Sequence, residues 1–340
     1  MLEVVTRDVE EVKIRLKNFS RKIKNRKFLV TGGAGFLGSW FCDIVIAMGG
    51  KVTCIDNLSS GSKKNVKHLL ENPNFEFIKA DVTAFTTRKK YDYIVHMASI
   101  ASVPLYQQYP VETLNANVIG TKNMLELAKK LKVKSILFTS TSEIYGDAKV
   151  IPTSETYWGN VNPYGPRSMY DEAKRVAEAY CYAFWKKFKV PVRIARIFNT
   201  YGPRLDIKGT SQYGRVIVKF IWQALNNKPV TVYGDGKQTR SFCYVTDQMV
   251  GLFKLLLTPG IDGEVINIGN DKETRIIDLA RMIIRLTISK SKIVFKPLPP
   301  DDPRRRCPDL KKAKKLLGYK PKVSLEEGLK RTIEWMRRSM

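Results

Sequence analysis

Phe28-Leu-Val-Thr-Gly-Gly-Ala-Gly-Phe-Leu-Gly38 is a short apolar run that enters a glycine loop, and Ser39-Trp-Phe-Cys-Asp-Ile-Val-Ile-Ala-Met48 continues it with a helical pattern. Strand, turn and helix in that order open a unit that binds a dinucleotide. Gly32, Gly35 and Gly38 let the backbone turn tightly, approach a pyrophosphate and pack helix on strand, while the helix N-terminus offers free N–H groups to phosphate. Phe36 and Leu37 lie in the same loop. Lys51-Val-Thr-Cys-Ile55 reads as the second strand and ends at Asp56, with Asn57 beside it, at the separation expected for a carboxylate that holds an adenosine ribose. A carboxylate there repels a 2′-phosphate, so the expected cofactor is NAD rather than NADP; Lys63 and Lys64, a few residues on, would soften that preference.

Alternation of strand-like and helix-like segments continues. Asn74-Phe-Glu-Phe-Ile78, Tyr91 to His96, Ser135 to Thr139 and Val192 to Ile197 read as strands, and Asn117 to Lys130 as a helix. The pattern predicts an α/β fold, a doubly wound parallel sheet of the Rossmann type, whose ligands sit at the carboxyl ends of the strands. Asp81-Val82 ends one segment and is placed to receive adenine; His96-Met-Ala-Ser99 ends another, so that Ala98 and Ser99 line the dinucleotide. Tyr170-Asp-Glu-Ala-Lys174 then sets a phenol and an ammonium one helical turn apart on a shared face. A free phenol titrates at about 10, and the ammonium favours the phenolate while still reaching a nicotinamide ribose.

Composition bounds the rest. The chain has 340 residues and is 44% apolar, enough for a sizeable core, and no run approaches the roughly 20 apolar residues of a membrane span. With no apolar signal-peptide core at the start, the expected location is the cytoplasm. Five scattered cysteines suit reduced thiols, and two histidines without ligand-spaced partners make a metal site improbable. The formal charge of +27 suits contact with polyanions, yet it is spread along the chain without a nucleic-acid module and reads mostly as a solvated surface. Val5, Val9, Val12, Leu16, Phe19 and Ile23 recur at spacings of four and three, a helix over 1–26 with one apolar stripe and charged other faces, including Asp8, Glu11 and Arg15. Such a helix lies on the body of the protein or on a partner subunit, with a membrane-surface anchor as the alternative.

Thr31-Gly-Gly-Ala-Gly-Phe-Leu-Gly38, Asn117-Val-Ile-Gly-Thr121, Thr141, Tyr170 with Lys174, and Arg196-Ile-Phe-Asn-Thr-Tyr-Gly-Pro203 together resemble the extended short-chain dehydrogenases/reductases that modify nucleotide sugars. Ser140-Thr-Ser-Glu-Ile-Tyr-Gly146, Tyr157-Trp-Gly-Asn-Val-Asn-Pro163, Gly165-Pro-Arg-Ser-Met-Tyr-Asp-Glu172 and Asp301-Asp-Pro-Arg-Arg-Arg-Cys-Pro-Asp309 are similar to the UDP-glucuronic acid decarboxylase (UDP-xylose synthase) branch of that family. The resemblance implies a carboxy-lyase that oxidises UDP-glucuronate at carbon 4, loses carbon dioxide from the β-keto acid, and reduces the ketone with the same NADH.

By that resemblance Tyr170 accepts the 4-hydroxyl proton, Lys174 lowers its pKa and Thr141 bonds the same oxygen, with Ser142, Glu143 and Arg306 toward the sugar carboxylate. Arg304 or Arg305 stands in for Arg306 if the loop register differs. Asn117 joins the cofactor set; Asn199, Arg215, Tyr233 and Arg240 form the UDP grip, arginine forks suiting phosphate oxygens. Lys208 to Gly214 departs from the family's loop. The implied layout is the helix 1–26, an NAD-binding domain over 27–198 plus about 241–261, and a smaller α/β UDP-sugar domain over 199–240 plus 262–340. A homodimer through the helices at Asn117 to Lys130 and Tyr170 to Phe188 follows by the same analogy. Two other readings stay open: a sister 4,6-dehydratase or 4-epimerase, since dehydratases carry an Asp-Glu pair where this chain has Ser142-Glu143, and a nucleic-acid-binding protein on a dehydrogenase scaffold.

Overall fold

A computed structural model describes residues 3–205, 216–298 and 302–339. At its centre is a seven-stranded parallel sheet of β1 (Lys27–Thr31), β2 (Lys51–Asp56), β3 (Phe75–Lys79), β4 (Tyr93–His96), β5 (Ser135–Thr141), β6 (Val192–Ile197) and β7 (Val265–Ile268), in the spatial order β7-β6-β5-β4-β1-β2-β3. Chain order reverses between β1 and β4. That is the switch point at which a doubly wound sheet opens a crevice.

Strands buried on both faces are apolar along their length, and successive side chains divide between the two faces. In β1, Phe28 and Val30 enter the larger core, beneath the helices Phe36–Ala47 and Val245–Leu257, while Leu29 enters a second core under Pro110–Leu131 and Ser168–Phe188. The first of those last two helices begins at Pro110, seven residues before the expected Asn117, because proline is at home in a first helical turn. Sequence reading ended the sheet's share of the chain near residue 261. Instead β7 pairs with β6 from Val265↔Ile194 to Ile268↔Ile197, so the sheet extends past that boundary. A four-residue strand after a helix carries too little periodicity to be separated from the loops around it.

The remainder forms a smaller layer beyond the carboxyl ends of the strands. Thr239–Ser241 pairs with Glu273–Arg275 on one side and Arg305–Arg306 on the other, and Val230–Tyr233 pairs with Ile293–Lys296. Among the described residues no helix is long and apolar enough to cross a membrane.

Residues 1–26 do not form one helix: Glu3–Arg15 is helical, Lys17–Phe19 tightens into a 3-10 turn and Ser20–Ile23 adds a last turn. The chain must reverse into β1, and Asn25 takes a left-handed conformation (φ 61°) to do so. Val5, Val9, Val12, Leu16 and Ile23 are buried in the main core, so the stripe lies on the body of its own chain. One supposedly solvated residue is inside: Asp8 is fully buried, accepting from the Tyr244 hydroxyl at 2.5 Å and from Arg331 at 2.8 Å. Burial pushes its pKa up to about 6 against those two partners. Arg15 reaches the fully buried Asp247 at 2.6 Å, whose oxygens also accept the N–H groups of Lys322 and Val323.

Removing one partner of a buried ion pair strands the other charge. Arg15→Met is therefore expected to lower the unfolding free energy by about 3 kcal/mol in urea titrations. Arg7→Met loses only a 3.5 Å contact to Glu334 from a side chain 55% exposed, and is expected to change it by less than about 0.5 kcal/mol. Equal effects of the two would refute the buried latch.

Candidate active site

A cleft of about 870 Å³ runs along the carboxyl edge of the sheet and under the smaller layer. Gly32, Gly35, Phe36, Leu37 and Gly38 form one end. Here glycine is demanded by space: a Cβ on Gly32 (φ 67°) would lie 2.7 Å from the Ala98 nitrogen, and one on Gly38 would lie 2.1 Å from the Gly32 carbonyl. The backbone thus folds under itself, and the helix beginning at Phe36 points its unpaired N–H groups into the cleft. Asp56 ends β2 in the same wall, its carboxylate accepting from the N–H of Ala34 at 2.9 Å and of Leu58 at 2.8 Å. Burial pushes its pKa up against those bonds. Asn57 donates to Asp81 at 2.9 Å, and Val82, Ala98 and Ser99 continue the lining. Lys63 turns away to sit 5.6 Å over the Phe77 ring, and neither it nor Lys64 lines the cleft. Asn117 is buried on its helix, bonded to the Thr113 carbonyl at 2.8 Å, and it is Asn115 and Ala116 that reach the cleft.

The catalytic candidates converge in the middle. Thr141 closes β5 and hydrogen-bonds the Tyr170 phenol; burial raises that phenol's pKa and the threonine lowers it. Lys174, one turn further along Ser168–Phe188, is buried 2.8 Å from the Thr139 carbonyl and 5.9 Å from the Tyr170 ring centre. Desolvation brings its pKa down to about 7. His96, buried between the hydroxyls of Thr31 at 2.7 Å and Thr121 at 3.1 Å, is held neutral by burial, its pKa down to about 3, and ties β4 to β1.

Ser142 and Glu143 follow Thr141 in a 3-10 turn, and Glu143 is the hub of an ion cluster. Arg306 grips it with both terminal nitrogens, one at 2.8 Å, and Arg167 binds it from the other side. Burial raises the carboxyl's pKa, but the guanidiniums of Arg167 and Arg306 outweigh it and hold the group well below the usual carboxylate range. Strand pairing settles the arginine register: Arg306 lies opposite Arg240, while Arg305 points out to Glu273 at 2.6 Å and Arg304 is exposed. Arg167 also lies 3.7 Å from the buried Asp171.

At the far end stand Asn199, Tyr233 and Arg240, the last bonded to Asp302 at 3.0 Å. Arg215, with the loop Lys208 to Gly214, lies outside the described residues. Lys219 donates to the Tyr233 hydroxyl at 3.2 Å and lines the same wall. Sequence reading missed Arg167, Asp171, Lys219 and Tyr106, whose ring stacks on Tyr170 at 5.3 Å. Only Arg167 and Asp171 left a signal, being four residues apart beside the Tyr170 motif. Ser99 Oγ, Ser102 Oγ, Tyr106 Oη and Asn199 Nδ2 are buried in this lining with no hydrogen-bond partner among the described residues. Unmet polar groups at both ends of a glycine-cradled cleft fit a dinucleotide and a second polar ligand. Among the described residues no cluster suited to a metal ion occurs.

Known proteins share this chain's sequence and fold. The chain is 48% identical to UDP-glucuronic acid decarboxylase 1 of Danio rerio over 96% of its length and 76% of that protein's. It is 48% identical to UDP-glucuronic acid decarboxylase 4 of Arabidopsis thaliana over 91% of its length and 68% of that protein's. Among solved structures, UDP-glucose 4-epimerase of Thermotoga maritima superposes with a TM-score of 0.83 at 34% identity, covering 92% of this chain and 99% of that one. UDP-glucuronic acid 4-epimerase of Bacillus cereus, in complex with UDP-glucuronic acid and NAD, superposes with a TM-score of 0.82 at 30% identity, covering 92% and 100%. With the family model matched over residues 28–269, the chain belongs to the NAD dependent epimerase/dehydratase family.

Proposed function

We propose that this chain converts UDP-glucuronate to UDP-xylose and carbon dioxide with a resident NAD. The observation that carries the reading is the clamp of Glu143 between Arg167 and Arg306 in the lining that also holds Tyr170: cations for a sugar carboxylate stand next to a site for oxidising a hydroxyl. The relatives named above support it. An NAD held along Gly32, Gly35, Gly38 and Asp56 would supply the hydride acceptor for carbon 4 and the donor that restores it. Tyr170 takes the 4-hydroxyl proton, Thr141 orients that oxygen, and Lys174 stabilises the phenolate. A ketone at carbon 4 is β to the carboxylate, so the carbon–carbon bond breaks with its electron pair delocalised as an enolate. Asn199, Tyr233 and Arg240 hold the UDP.

The glycine loop and Asp56 support NAD over NADP, because the wall at Asp56, Asn57 and Asp81 places carboxylates and no cation among the described residues where a 2′-phosphate would lie. A homodimer is part of the reading. Val111, Leu114 and Ile119 on Pro110–Leu131, with Val176 and Tyr182 on Ser168–Phe188, are exposed apolar side chains on adjacent helices, which a second copy would cover.

Incubation with UDP-glucuronate and no added NAD, read by mass spectrometry and NMR, is expected to yield UDP-xylose without net NADH. Tyr170→Phe is expected to lower kcat by about 10²-fold or more, and Glu143→Gln to abolish decarboxylation while sparing NAD binding. Full turnover by either variant would sink the assignment. Titration by intrinsic fluorescence is expected to give at least about tenfold tighter binding of NAD than of NADP; the reverse order would refute the role of Asp56. Sedimentation equilibrium is expected to return the mass of two chains, and a monomer at micromolar concentration would remove the helix-pair interface.

A further inference from the structure

Decarboxylation consumes a proton: the bond to the carboxyl carbon breaks, its electron pair stays on carbon 5, and a new C–H bond must form there. The proposed reaction, on which this inference rests, leaves the donor unnamed. Tyr170 holds the proton taken from the 4-hydroxyl and needs it again when the ketone is reduced. Lys174 is turned to the Thr139 carbonyl. Glu143 is kept as a carboxylate by its two arginines and has no proton to give.

Two groups beside the phenol are unused. Tyr106, on the short helix Val103–Gln108, stacks on Tyr170 with ring centres 5.3 Å apart and planes 6° from parallel; the residue is among those lining the cleft, and its hydroxyl is buried without a partner among the described residues. Carbon 5 is one bond from carbon 4, and Tyr106 is the phenol stacked beside the one that serves the 4-oxygen. Asp171, next in the chain to Tyr170, is buried with Oδ1 unpartnered among the described residues and Oδ2 3.7 Å from Arg167.

We propose that Tyr106 is the acid that protonates carbon 5 and that Asp171 resupplies its proton. The Tyr106 O–H proton joins the electron pair released by the departing carbon dioxide, restoring the ketone. Tyr106 Oη and Asp171 Oδ1 share no hydrogen bond, so the Asp171 carboxyl proton then passes to the phenolate oxygen through a water, and solvent reprotonates Asp171 before the next turnover. One proton enters for each carbon dioxide lost. The surrounding charges suit such a relay. Arg167 and Glu172 face Asp171 from its own segment, Glu143 from the turn after β5, Arg306 from the strand Arg305–Arg306, and Tyr106 from its helix. Burial, then the Glu143 carboxylate, raise the Asp171 pKa well above the usual range, against the pull of Arg167 and Arg306. Burial also raises the Tyr106 phenol, so it keeps its proton until a strong carbon base forms.

The test is single turnover of the NAD-loaded full chain with UDP-glucuronate, following NADH absorbance and released carbon dioxide across pH. Wild type is expected to form NADH transiently, with its decay slowing as pH rises because the relay must be protonated. In Tyr106→Phe and Asp171→Asn, NADH and carbon dioxide are expected to form, showing an intact site, while NADH decay slows by about 10²-fold. Asp171→Asn is expected to lose the pH dependence of that step, and Asp171→Glu to recover it. Wild-type NADH decay in either variant would overturn the relay, as would failure of both to form NADH, which would mark the pair as mere support for Tyr170. A wild type that releases no carbon dioxide would remove the decarboxylase reading itself.

Discussion

The close approach of backbone to backbone at the turn out of β1 is the constraint on which the molecule rests. Gly32 lies against Ala98 and Gly38 against Gly32, with no room for a Cβ at either contact. That contact seats the helix Phe36–Ala47 on the sheet, aims its N-terminus along the carboxyl edge and brings the turn after β4 against the turn after β1. The glycine loop, Asp56 and the turn after β4 then line the same rim of the cleft. The hydroxyl of Thr31, shared between the His96 ring at 2.7 Å and the Ala98 N–H at 3.3 Å, locks the same junction.

Against that rigid frame the candidate catalytic groups are tuned by dehydration. Tyr170 and Lys174 are both pushed toward their neutral forms by burial, the phenol upward and the ammonium down to about 7. Neither group suffices alone. The cluster of Glu143, Arg167, Arg306 and Asp171 concentrates two fixed cations and two carboxyls in the same enclosure, so the protonation of each carboxyl depends on the other. In the proposed reaction a sugar carboxylate entering such a cluster alters its charge balance, and losing carbon dioxide alters it back. This couples the chemistry at carbon 5 to the ionisation of groups a few ångströms from the phenol.

The N-terminal segment shows the same physics without chemistry. Its valines supply burial, while Asp8–Arg331 and Arg15–Asp247 fix how the helix sits across Val245–Leu257 and Leu325–Ser339. A helix held by apolar contact alone is free to rotate on a greasy surface. Buried ion pairs specify one orientation, since any other strands charge away from water.

The sequence by itself determined the parts governed by local rules. Glycine spacing, apolar strand runs and the Tyr170-to-Lys174 turn declare the sheet, the glycine loop and the helix that carries Tyr170 and Lys174, because each depends on neighbours within a few residues. Tertiary structure alone decided the rest. That Arg306 rather than Arg305 meets Glu143 follows from its pairing opposite Arg240, a register between distant segments of the chain that no local pattern encodes. The seventh strand, the burial of Asp8 and the stacking of Tyr106 on Tyr170 likewise depend on which distant surfaces meet. Charge signs can be read along a chain, but whether a charge is solvated or buried against a partner is settled only when the chain has closed around it.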